Sequence, residues 1–167
     1  MPPKPAPNPS ICFARLGSID AIEQEKQTQD KLVVLLLNIE NPERASLEYR
    51  MVNWGQNFEH SHPVKLCKYI YTPDDPEAAA NVTKALNINH QPTVIFLNNG
   101  KELDRITDFN ESDPNRSHPL ETDKIDQDEQ RVKDKTIQLC DNVDLLPVVP
   151  LLTMMVYKTC SLDDHLN

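Results

Sequence analysis

Gln91-Pro92-Thr93-Val94-Ile95-Phe96-Leu97-Asn98-Asn99-Gly100, continued by Lys101-Glu102-Leu103-Asp104-Arg105-Ile106, is the stretch that decides the fold. Residues 93–97 form an unbroken apolar run, too short for a helix and apolar on both faces, which predicts a buried central strand. Asn99-Gly100 predicts a tight hairpin, because a type I′ turn needs positive φ at both central residues. Leu103 and Ile106 then belong to a returning strand, more polar and so nearer an edge. Pro92 has no N–H to give to a ladder and must stand at the mouth of the strand, where a cis peptide bond would be placed.

Upstream, residues 32–39 are the most hydrophobic run in the chain and predict a second central strand. Asn41-Pro42-Glu43 reads as a helix start, with Asn as N-cap, Pro in the first turn and an acid near the positive end of the dipole. Leu47, Met51, Trp54 and Phe58 follow at helical spacing, with Ala45, Tyr49 and Val52 widening the stripe; this pattern reads as core rather than a binding box. Residues 64–71 predict another strand, enclosing Cys67. Pro73-Asp74-Asp75-Pro76 ends it and opens a helix over 77–86, with Ala78, Ala79, Val82 and Leu86 inward. At the front, 11–16 reads as a first strand and Ser18 as the N-cap of a polar helix over 19–29, with Ile19 and Ile22 inward. Such alternation implies parallel crossovers first and an antiparallel end.

The order of elements, with a Pro-Thr pair before a hydrophobic strand, an Asn-Gly turn and a charged return strand, resembles the thioredoxin domain. The resemblance covers residues 11–109 and rests on topology and the hairpin rather than on a run of identities. It implies an α/β, thioredoxin-like fold: a central mixed sheet flanked by helices, with irregular N- and C-terminal extensions. Residues 1–10 form a Pro-rich tail that favours extended backbone. Residues 110–167 read as an acidic linker and C-terminal extension, with linker composition over 110–135. A helix over 122–140, with Ile125, Val132, Ile137 and Leu139 partly buried, would be a displaced version of the helix that closes the family's domain. The apolar tail 145–157 is broken by Pro147 and Pro150 and is too short to span a bilayer. It either packs on its own domain or docks on a partner.

The resemblance also implies where chemistry should sit: a CxxC at the junction between the second strand and the long helix, its thiolate stabilised by the helix dipole. Here Asn41 and Arg44 stand about where the two sulfurs would be, and neither can attack a disulfide. Active members carry a buried Asp in the strand feeding this loop, whereas Val33-Val34-Leu35-Leu36-Leu37 offers no carboxylate. Cys12, Cys67, Cys140 and Cys160 make no CxxC. Cys67 lies within a predicted strand and reads as a small hydrophobe; Cys12 falls in the predicted edge strand, and a Cys140–Cys160 pair stays open. His60-Ser61-His62 reads as a polar loop without ligands at metal spacing. No catalytic residue, metal or cofactor is therefore expected. What the family geometry leaves is a peptide groove lined by Asn41, Pro42, Glu43, Arg44, His90, Gln91, Pro92 and Thr93. Strand addition there would rely on main-chain hydrogen bonds and needs no sulfur.

A formal charge of −9 over 167 residues argues against direct contact with nucleic acid and against an anionic membrane surface. The N-terminus lacks the apolar core of a secretory signal, so a reducing, cytoplasmic setting is expected, with free thiols and unmodified sequons at Asn81, Asn110 and Asn115. The expected function is a non-catalytic protein–protein interaction module. Its partners would be proteins, and it would serve as a subunit or adaptor of a larger assembly such as a ribonucleoprotein or ciliary motor complex. The alternative is an atypical thiol–disulfide oxidoreductase using a cysteine outside a CxxC.

Overall fold

The two apolar runs become neighbours at the centre of one five-stranded sheet. The computed structural model describes residues 13–39, 46–112 and 122–142. In chain order these form β1 (Ala14–Arg15), α1 (Ile19–Lys26), β2 (Leu32–Ile39), α2 (Leu47–Ser61), β3 (Val64–Tyr71) and α3 (Pro76–Leu86). They continue through β4 (Thr93–Asn98), β5 (Lys101–Ile106), a 3₁₀ turn (Asn110–Ser112) and α4 (Thr122–Asn142). The sheet order is β1-β3-β2-β4-β5, parallel among β1, β3 and β2 and antiparallel from β2 through β4 to β5. This is a thioredoxin-like fold, a mixed sheet flanked by helices.

Side chains alternate across the sheet, so each strand feeds two cores. Leu32, Val34, Leu36, Val94 and Phe96 face Leu47 and Met51 of α2 and Val132 of α4. Val33, Leu35, Leu37, Ile95 and Leu97 face Ile22 of α1 and Val82 and Leu86 of α3. With helices on both faces, β2 and β4 read as continuous apolar runs rather than alternating ones. The hairpin follows its residues: Asn99 and Gly100 have φ of 49° and 76°. Their N–H groups donate to Thr28 O (2.9 Å) and Lys26 O (2.8 Å), which ties the turn to the end of α1.

Several boundaries differ from the sequence reading. The first strand shortens to Ala14–Arg15, and α1 stops at Lys26 rather than 29. The long helix begins at Leu47, not at Asn41: the Ser46 hydroxyl accepts from Tyr49 N–H (3.2 Å), and the serine is wholly buried. Tyr49 and Val52 lie on the outer side of α2, because Leu47, Met51 and Gly55 set its inner face. The helix runs on to Ser61, so His60 is helical rather than in a loop. His62 follows the last turn and stacks on Phe58 at 4.1 Å. Residues 122–135, linker by composition, belong to α4, whose one buried stripe runs through Ile125, Asp128, Val132 and Thr136. Ile137 is off that stripe and 40% exposed. The readings made for 1–12, 41–45, 113–121, 145–157 and Cys160 lie outside the described residues.

Candidate functional site: the loop into strand β4

The mouth of β4 is built from its first residue outward. Thr93 is fully buried and donates its hydroxyl to His90 O at 2.6 Å, closing a turn over the two residues between them. The Gln91–Pro92 bond within that turn is cis. Pro92 is buried, Gln91 half-buried and His90 exposed, so the chain rises from core to solvent over three residues. The β2–β4 ladder ends at the pair Leu37–Thr93, so the main chain of residues 90–92 lies beyond the paired part of the sheet.

The loop is held from behind. Asn87 takes the left-handed conformation that ends α3, and Ile88 N–H donates back to Thr83 O (2.9 Å). From the edge strand, Arg105 donates to Leu86 O (3.0 Å) and Asn87 O (3.2 Å), while Glu102 holds its guanidinium. Of the eight residues assigned to a groove, His90, Gln91, Pro92 and Thr93 are thus gathered at this end of the sheet. Asn41, Pro42, Glu43 and Arg44 fall outside the described residues.

A charged pair at the same level of the sheet escaped the sequence reading. Lys68 of β3 stands in register with Leu36, which pairs with Val94. Its ammonium meets Glu48 Oε1 at 2.8 Å and lies 5.3 Å from the centre of the Phe13 ring. Glu48 Oε2 is buried with no hydrogen-bond partner among the described residues. The carboxylate near this end therefore comes from the first turn of α2, not from β2. A lysine centred in the apolar run Leu66-Cys67-Lys68-Tyr69-Ile70 was the available signal, since a cation there needs a counter-ion.

Two thiols are described. Cys67 is wholly buried in the core beneath α1 and α3. Burial pushes its thiol up to about 12, with the charge of Glu25 acting in the same direction. Cys140, half-buried near the end of α4, is pushed up to about 11 by burial and then by Asp141. A nucleophilic thiol needs the opposite displacement. Among the described residues no group of His, Cys, Asp and Glu is placed to hold a metal ion, and no helix is long and apolar enough to cross a membrane.

No protein-family model matches this chain, and no curated protein matches it in sequence. Solved structures do. The thioredoxin of Malassezia sympodialis matches at TM-score 0.47 and 16% identity, over 71% of this chain and 89% of that one. The thioredoxin of Trypanosoma brucei brucei gives 0.48 and 16%, over 78% and 95%. A designed protein gives 0.51 and 12%, over 76% and 98%. At such identities the likeness concerns the fold alone.

Proposed function

We propose that this chain is a non-catalytic interaction module that holds an extended stretch of a protein partner against the main chain of Gln91 and Pro92. Asn41, Pro42, Glu43 and Arg44 would form the opposite wall, and the module would act as a subunit or adaptor of a larger assembly. The observation that carries this reading is the position of residues 90–92: outside the ladder, partly open to solvent, and anchored at both ends. A stretch of main chain beyond the ladder supports a reading as strand addition, which draws affinity from backbone hydrogen bonds and specificity from flanking side chains. The absence of a thiol from 41–44 and the raised thiols of Cys67 and Cys140 favour binding over disulfide exchange. Two measurements test it. Full-length protein carrying Gln91→Arg and Pro92→Ala should lose partners that the unsubstituted chain captures from lysate; an unchanged set rejects the groove. Thioredoxin reductase and insulin should give no cysteine-dependent turnover, and turnover abolished by a single cysteine substitution would establish the oxidoreductase reading instead.

A further inference from the structure

Both borders of the sheet have a main-chain donor held by a carboxylate. On the β5 side, Arg105 donates its N–H to Asp104 Oδ1 at 2.8 Å, and Lys135 of α4 meets Asp104 Oδ2 at 2.7 Å. Lys135 and, after it, the Arg105 N–H keep the Asp104 carboxyl below its usual range, so the acceptor stays ionised near neutral pH. The ladder is irregular at the same place. Phe96 pairs with Asp104 and Leu97 with Glu102, which leaves Leu103 out of the register and 39% exposed. On the opposite side, β1 pairs with β3 only at Cys67 and Lys68. Lys68 O accepts from Leu16 N–H (2.8 Å), so Leu66, two residues earlier, turns its main chain to the same border. The Leu66 N–H donates to Glu59 Oε1 at 2.7 Å, from the last turn of α2.

A sheet border with free N–H groups is a template for another strand, and a side chain that occupies those groups closes it. We propose that Asp104 and Glu59 are built-in stops that keep a second copy of this chain from extending the sheet at either border. The β5 border is where such a copy would fit. Antiparallel pairing about a two-fold axis between Leu103 and Asp104 sets Glu102 opposite Arg105 of the second copy, and Arg105 opposite its Glu102. Glu102 and Arg105 share one face of the strand, since they bond to each other at 2.8 Å, so both ion pairs can form at once. That pairing needs the Arg105 N–H, which Asp104 already holds. The formal charge of −9 is only a weak barrier at physiological salt, where repulsion is screened over about 8 Å.

Sedimentation velocity of the full-length protein at physiological salt tests the stop on β5. The unsubstituted chain should stay monomeric, and Asp104→Ala should associate at least about tenfold more tightly, as a dimer. Asp104→Asn, whose side-chain carbonyl still accepts, should stay monomeric. An Asp104→Ala variant that remains a monomer overturns the proposal. So does an unsubstituted chain that dimerises through residues 101–106. Equal dimerisation of the Ala and Asn variants would assign the effect to the lost Lys135 contact and overturns it as well. Amide exchange in the unsubstituted chain keeps the test independent of how well a variant folds. The Arg105 and Leu66 amides should exchange at least about tenfold more slowly than in an unstructured chain. Exchange of either at the free rate shows that no carboxylate holds it, and the stop at that border is rejected.

Discussion

Lys68 and Glu48 show how one residue pair constrains the protein. Each is mostly buried, and separating them leaves an unpaired charge next to the core. Glu48→Leu or Lys68→Met alone should cost about 3 kcal/mol in urea unfolding, whereas the double substitution should cost clearly less than the sum. Additive costs would mean that the pair is not coupled. Cys67 gives a pH-dependent counterpart. Its thiol is raised from 9.0 to about 12, mainly by burial, so the folded state keeps a proton that the unfolded chain releases earlier. The stability this contributes is complete below pH 9 and is lost as pH rises from there towards 12. The phenols of Tyr69 and Tyr71, also raised by burial, act in the same direction. Cys67→Ala should therefore reduce, but not remove, the fall in thermal midpoint above pH 9. An unchanged slope would show that Cys67 takes no part in it.

Among the elements, α2 depends on a cap that its sequence does little to advertise. Ser46 lacks the Glu or Gln three residues on that would complete a capping box, and Asn41-Pro42 offers a stronger start signal nearby. Ser46→Ala should cost about 1 kcal/mol, and the corresponding Asp75→Ala at the head of α3 about the same, both read from denaturant midpoints. The start of α3 within Pro73-Asp74-Asp75-Pro76 and the Asn99-Gly100 turn were legible because local chemistry alone selects them. Helix α4 was legible only in outline. Ile125, Val132 and Leu139 recur every seven residues, but Asp128 and Thr136 are buried because of tertiary contacts that no local pattern encodes. Asp128 accepts from Asn110 N–H (3.1 Å) and the Asn110 side chain (2.9 Å), joining the 3₁₀ turn to the helix. The Glu48–Lys68 pair was hidden for the same reason, since its members are twenty residues apart and meet only once the sheet exists.

For the molecule as a whole, the domain does not end at the last strand. Val132 is fully buried against the strands, and α4 shares with α2 the covering of one face of the sheet. Val132→Ala should lower unfolding free energy by about 2 kcal/mol with one cooperative transition retained. A separate early transition would mean that α4 is an appendage rather than part of the core. The central strands and their order were readable from the 32–39 and 91–106 runs, because burial on both faces leaves a plain hydrophobic signature. The candidate site was half readable: residues 90–93 stand where the proline and the strand mouth place them.

The Arg105 contacts to the end of α3 bear on the thermodynamics of association. With Leu86 and Asn87 clamped on one side and Thr93 committed to the sheet on the other, the five residues between them have few shapes left to lose. A visitor to this loop would meet a surface already near its bound form, so less of the contact energy goes into freezing backbone and more remains as affinity.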